Sequence, residues 1–368
     1  MNSIRIAFAL ALVGLLASAK AEDHNNLALS SNLKTECVGR YLITLPSKIE
    51  TALISDIRMD DHTVSPRFQF SDGSTASFST GPEVSRLVSE NEFNIFHSSY
   101  LDVRNEFIKQ LIRQGDKKAQ SITVLDITDT KPASFGLEAN DYAEKFIYAN
   151  QHLFYFYGSD DNSNFIKTGL LSTFQSRALY KIPNQPGVCF PYGFFADDGK
   201  KSRNIGVTMR LIDHPDVEIF FKDSSYPLEG AGMPLNEKQI IQTFWEFDNR
   251  QVIQQAKMDW HGYRSIKMDN RDGTGLFVTL TRYDHSTYHG NESESLGVPA
   301  DGGTDYGYVA VVKGDPKAKE DTPSLMMYVI RTAARARAKG IEPVSKDDIK
   351  AIAESVMASI KRHPITPE

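Results

Sequence analysis

The sequence predicts an α+β fold of two domains, each an antiparallel sheet packed with helices. Short strand-like stretches alternate irregularly with longer helical ones, without the strand-helix-strand regularity of a parallel sheet. A Pro/Gly-containing segment, Lys181-Ile182-Pro183-Asn184-Gln185-Pro186-Gly187, separates two patterns that begin alike, with a lone cysteine, Cys37 or Cys189, followed by aromatic residues. The chain has 368 residues, whereas single cores stop growing at roughly 250 to 300 residues. The expected organisation is a signal peptide at 1–21, a disordered leader at 22–35, one domain at 36–182 and a second at 187–368.

The first residues carry Arg5, an apolar run from Ile6 to Leu16, and Ala19-Lys20-Ala21. This is the pattern of a secretory leader cut after Ala21. The run is about half the ~20 residues of a membrane span, and no cysteine follows it to take a lipid. The exported part is expected to be soluble, with no membrane insertion. Order is expected from Cys37 to Leu45, a strand stopped by Pro46, with a second apolar stretch at 54–59. From Pro82 the apolar residues recur at helical spacing through Val84, Leu87, Phe93, Phe96, Tyr100, Phe107 and Leu111, until Gly115. A strand is expected at 121–127, a hairpin at 142–148 and 152–157 turning at Asn150-Gln151, and helical spacing at 164–180.

Past the linker, 189–195, 205–212 and 217–222 read as strands, with His214-Pro215 as a turn. Residues 239–247 suit a helix or a strand, 275–283 and 306–313 read as strands, and Ser324 to Ala338 reads as a helix. The last helix has Ser345 as N-cap and Asp347 and Asp348 in its first turn. Ile349, Ile352, Val356, Met357 and Ile360 form its apolar face before His363-Pro364.

The net charge is −6, and loss of Arg5 and Lys20 with the leader makes the remainder more acidic. Nucleic acid and anionic lipid, which need a basic field, are thereby disfavoured as partners. The two cysteines, both in the exported part, are expected to form a disulfide, since an even pair in an oxidising compartment is usually bridged. No Gly-x-Ser-x-Gly elbow, Gly-rich phosphate loop or dinucleotide fingerprint occurs. His285, His289 and Glu292 sit in a Gly/Asn-containing loop where the i, i+4 spacing does not bring ligands together. Asp301-Gly302-Gly303-Thr304-Asp305 lacks the ligands of a calcium loop. No catalytic, cofactor or metal site is expected.

Between two expected strands, Tyr283 to Tyr308 forms a connection of about 24 residues, beyond the ~12 to 15 usual for an unstructured loop. It holds Asp284, Glu292, Glu294, Asp301 and Asp305, no Lys or Arg, and tyrosines at 283, 288, 306 and 308. Such a loop is either a solvated insertion or a protein-binding element, because tyrosines give contact area at small entropic cost and acids steer a basic partner. The candidate contact residues are Tyr283, Asp284, Tyr288, Glu292, Glu294, Asp301, Asp305 and Tyr306.

The signal peptide, the decapeptide Cys37-Val38-Gly39-Arg40-Tyr41-Leu42-Ile43-Thr44-Leu45-Pro46, and a second block at Gly187-Val188-Cys189-Phe190 with Pro215-Asp216-Val217 together resemble the Tli4 family. The resemblance spans roughly residues 33 to 368, and it departs from the family pattern after Asp284. It implies a two-domain periplasmic immunity protein that binds a phospholipase effector of type VI secretion. It further implies that the effector is gripped between the domains and blocked without chemistry. Two other readings stay open on the residues alone: an exported binding or scaffold module with another protein partner, and an exported hydrolase whose catalytic groups are dispersed in sequence. The oligomeric state is not written in the sequence.

Overall fold

The computed structural model describes residues 32–55, 59–60, 63–64, 68–76, 81–129, 131–159, 163–230, 233–248, 253–259, 261–283 and 303–364. The secretory leader lies outside them. Where one strand was expected at the start, two form a hairpin: β1 (Lys34–Val38) and β2 (Tyr41–Leu45). Gly39 makes the turn with φ +58°, and a Cβ there would overlap the Asp223 carboxylate, so the position requires glycine. β1 begins before residue 36, the expected start, because Lys34 and Thr35 register with Leu45 and Thr44. β3 (Ile49–Thr51) then pairs with a strand beyond the linker, Thr51 opposite Met209 and Ile49 opposite Leu211.

The helical stretch expected from Pro82 opens instead with a short strand, β4 (Glu83–Val84), before α1 (Glu90–Arg113). Ser89 caps α1 and Glu92 closes a reciprocal capping box, which sets the helix start. β5 (Thr123–Ile127), β6 (Ala133–Glu138), β7 (Tyr142–Ala149) and β8 (His152–Ser159) complete a five-stranded antiparallel sheet of order β4-β8-β7-β6-β5. The β7–β8 hairpin turns at Asn150 and Gln151, both at positive φ (49° and 61°), as the sequence predicts. Phe93 and Tyr100 of α1 pack on one face of this sheet against Phe135, Phe146, Leu153 and Tyr155. The opposite face, with Ile147, Phe154 and Phe156, joins the main core.

Helical structure after residue 164 is a π-helical turn, Phe165–Gly169, and α2 (Leu170–Thr173), ending earlier than the spacing suggested. Phe174 turns extended and starts β9 (Phe174–Ser176), its ring among Phe154, Phe190 and Phe195. β10 (Gly187–Phe190) and β11 (Gly193–Ala196) form a second hairpin in place of one strand, with Tyr192 at φ 57°. These three strands form a sheet of order β9-β11-β10.

The largest sheet has eight strands. β12 (Asn204–Leu211) and β13 (Val217–Ser224) precede α3 (Glu237–Thr243). β14 (Ile253–Lys257), β15 (Arg264–Met268), β16 (Arg271–Arg282), β17 (Thr304–Val312) and β18 (Ser324–Arg331) follow. The order is β14-β16-β17-β18-β13-β12-β3, with β15 also paired to β16. The expected helix at 324–338 is therefore wrong over its first part: Ser324–Arg331 is a strand, and only α4 (Ala333–Ala338) is helical. The cause is burial on both faces. Leu325, Met327 and Val329 enter the main core while Met326, Tyr328 and Ile330 enter the cluster on the α3 side, so the strand shows no alternation. α5 (Lys346–Ser359), capped by Ser345 as predicted, closes the main core with Ile349, Ile352 and Val356. β19 (Lys361–Arg362) returns to pair with β2.

Segments on either side of the 181–187 linker thus exchange strands in both directions, β3 into the large sheet and β19 onto β2. One buried cluster runs through both, from Ile43 and Phe154 to Phe221 and Ile352. Each such side chain contributes about 1.5–3 kcal/mol on burial. The expected disulfide is present: Cys37 and Cys189 are bonded, with Cα atoms 5.6 Å apart. Beside it Gly39 and Cys189 exchange backbone hydrogen bonds of 2.8 Å each. Arg177 reaches over the bridge to the Cys37 carbonyl (3.0 Å), the Phe190 carbonyl (3.1 Å) and the Glu36 carboxylate (2.6 Å).

Candidate partner interface

The residues singled out between the strands now called β16 and β17 separate into three groups. Asp284, Tyr288, Glu292, Glu294 and Asp301 lie outside the described residues. Tyr283 follows the last residue of β16 and is half-buried. Asp305 and Tyr306 belong to β17, which begins at Thr304, so the connection is shorter than the sequence suggested. Asp305 is not an uncompensated acid facing a partner: it is 3% exposed. Its Oδ2 accepts from Arg282 Nε at 2.9 Å, and its Oδ1 from Arg331 Nε at 3.3 Å and from the Ala333 amide at 2.8 Å. Sequence reasoning missed this because both arginines are remote in the chain and meet Asp305 only through strand pairing.

The cluster continues outward from the carboxylate. Arg282 also donates to the Thr332 hydroxyl at 2.9 Å, and Arg331 to the carbonyls of Thr304 (2.8 Å) and Val344 (2.7 Å). The Arg331 guanidinium lies 4.4 Å above the Tyr306 ring, which stacks on Phe277. Tyr306 is therefore a packing residue at the foot of the segment. The ends of β16, β17 and β18 and the start of α4 are thereby fixed to one another where residues 284–302 depart and return.

A second surface, not foreseen, is an open cleft of about 800 Å³ beside the N-terminus of α1. Its floor is aromatic, with Phe93, Tyr148 and Phe174, and Phe93 stacks on Tyr148 at 4.3 Å. Its rim is polar, carrying Glu90, Asp129, Lys131 and the hairpin tip at Asn150–Gln151. Hydrogen bonds hold the walls. Tyr148 donates its hydroxyl to the Val88 carbonyl (2.9 Å), the Val88 amide donates to Gln151 (2.7 Å), and Asn150 donates to the Ser176 hydroxyl (2.7 Å). Burial, then Glu90 and Glu92, raise the Tyr148 phenol above its ordinary value, so it stays a neutral donor. Ile95, next in sequence to the lining residue Asn94, is more than half exposed. The cleft joins four separate segments, and its one local signal is the Asn150-Gln151 turn.

Two histidines of the five-stranded sheet region, His97 and His152, are engaged by oxygen partners. His97 Nε2 is 3.1 Å from Asp126 Oδ1, which also accepts from the Thr128 hydroxyl at 3.0 Å. His152 Nδ1 lies 2.7 Å from the Ser85 carbonyl, its ring stacked on Tyr192. These arrangements orient side chains and pack rings.

Residues 181–268, from the linker to the end of β15, match the family model described as Tle cognate immunity protein 4 C-terminal domain. The resemblance is to the Tli4 immunity family. The Tli4-type fold also covers nearly the whole chain. One solved structure, the Tle4–Tli4 complex, is 17% identical with a TM-score of 0.51, over 91% of this chain and 99% of that one. The type VI secretion immunity protein TplEi from Pseudomonas aeruginosa, complexed with an "L" peptide, gives 15% identity and a TM-score of 0.51, over 91% and 99%. Its apo form gives 16% and 0.50, over 91% and 98%. No curated protein matches the chain.

Proposed function

We propose that the chain is an exported, periplasmic immunity protein that binds a lipase effector of type VI secretion and inhibits it by occlusion, with no chemistry of its own. The observation that carries this reading is the match of residues 181–268 to the Tli4 C-terminal domain. The length-for-length likeness to the Tli4 chain solved with Tle4 supports it. Export is supported by the apolar run and Ala19-Lys20-Ala21, and by a disulfide, a bond that persists in oxidising compartments.

Occlusion needs a large, stiff, complementary surface and no reactive group. Two regions are proposed to supply it. One is the segment bearing Asp284, Tyr288, Glu292, Glu294 and Asp301, with Tyr283 at its stem, rooted on the Asp305 cluster. The other is the aromatic-floored cleft beside α1. In this proposal residues 36–182 and 187–368 act as the two jaws. Because one hydrophobic cluster and two exchanged strands join them, the grip is preformed and does not depend on hinge closure. Co-expression with a Tle4-class lipase tests the reading. A complex that survives size-exclusion chromatography is expected, and its absence would contradict the proposal.

A further inference from the structure

Beneath α3, on the face of the large sheet opposite α5, a cavity of about 260 Å³ is lined by Lys222, Leu228, Leu235, Ile240, Phe244 and Met326. Lys222 stands on β13 between Met326 on one side and Gly206 on the other, so no side chain from β12 covers it. Among the described side chains no carboxylate or hydrogen-bond acceptor answers its ammonium, and partial burial holds that ammonium below its ordinary value. The contrast with Lys145 is direct. That buried lysine donates to the Ile166 carbonyl at 2.9 Å and faces Glu138 at 3.6 Å. A desolvated cation is costly unless it is paired; Lys145 is paired internally, whereas Lys222, half-buried at the cavity, stays open to an external anion.

We infer that this pocket binds a free aliphatic carboxylate, with the head group on Lys222 and the chain against the apolar walls. A single ammonium, a compact point charge, suits a monoanion. Phosphate recognition draws on several donors in a fork or nest, and the walls here, Thr243 apart, are aliphatic and aromatic. The chain has room to continue, because Leu228 and Leu235 also line an adjoining cavity of about 100 Å³. A few placed polar groups in a mostly apolar concavity is the usual composition of a small-molecule site. This inference stands apart from effector binding, since the pocket lies neither in the α1 cleft nor at the Asp305 cluster.

Calorimetric titration of the mature protein with octanoate tests it, with octanol (same chain, no charge) and acetate (same charge, no chain) as separate arms. Octanoate is expected to bind at least about tenfold more tightly than either. Lys222→Met keeps the stem and removes the charge. It is expected to lose octanoate binding and to melt higher than the parent, since the unpaired ammonium is gone. Leu235→Trp keeps the charge and fills the cavity. It is expected to lose binding as well, and it decides the matter if the first variant does not fold. No octanoate binding to the parent, equal binding of octanol, or unchanged affinity in Lys222→Met would each overturn the inference.

Discussion

In the five-stranded sheet the buried Glu144 carboxylate is held by one cation, Arg104 at 2.8 Å, and by the hydroxyls of Tyr100 (2.6 Å), Tyr142 (3.2 Å) and Tyr155 (3.3 Å). In the eight-stranded sheet Asp305 is held by two guanidiniums and a backbone amide. The first cluster is mostly neutral, and it docks α1 onto its sheet. The second is ionic and joins three strand ends to α4. It lies where β16 ends and β17 begins, so these bonds tie the ends of the strands that flank residues 284–302 to one another.

Substitution separates the two clusters. Asp305→Asn leaves two buried guanidiniums undercompensated and should cost about 3–5 kcal/mol in chemical denaturation. Glu144→Gln strands only Arg104 and keeps an acceptor for the phenols, so a loss of about 1–3 kcal/mol is expected. Equal losses would mean that the two clusters do the same work. Cys189→Ser, which frees the hairpin β1–β2 from β10, should cost about 2–4 kcal/mol and leave the circular dichroism spectrum recognisable.

A smaller effect concerns pH. Burial pushes the Glu83 carboxyl from 4.5 up to about 7, and its Oε2 has no hydrogen-bond partner among the described residues. The folded state then holds a proton that the unfolded chain has released. The associated stability is complete below pH 4.5 and is lost as pH rises to about 7. Melting temperature measured across this window should fall less in Glu83→Gln than in the parent, with the variant more stable at neutral pH. Identical pH profiles would remove Glu83 from the account.

The smallest effect on stability should come from the segment above the Asp305 cluster. Replacing Glu292, Glu294 and Asp301 by amides should leave the unfolding free energy within about 0.5 kcal/mol of the parent. It should slow effector association and flatten its salt dependence. Asp305 is excluded from this set because its burial makes it structural. Stopped-flow rates at two ionic strengths decide it, and unchanged rates and salt slopes would reduce the segment to a solvated insertion.

The elements legible in the sequence are those with one solvent-facing side or a local device. The β7–β8 hairpin carries Asn150-Gln151 at its turn, and α5 shows a cap, acidic first turn and apolar stripe. β18 was misread because all eight of its residues are buried, which erases the period. Asp305 was misread because its partners come from strand pairing across the sheet. The α1 cleft was invisible because its lining comes from four separated segments and its floor from aromatic residues that read as ordinary core. The family resemblance rested most on the decapeptide at 37–46, whereas the matched segment, 181–268, contains the second block instead.

Inhibition by occlusion is tested most directly by titrating a Tle4-class lipase with the purified protein while following lipid hydrolysis. The account predicts a linear loss of activity that ends at a fixed molar equivalence, with both proteins recovered intact from the complex. Inhibition at far less than one equivalent, cleavage or modification of the lipase, or full activity at excess would contradict it.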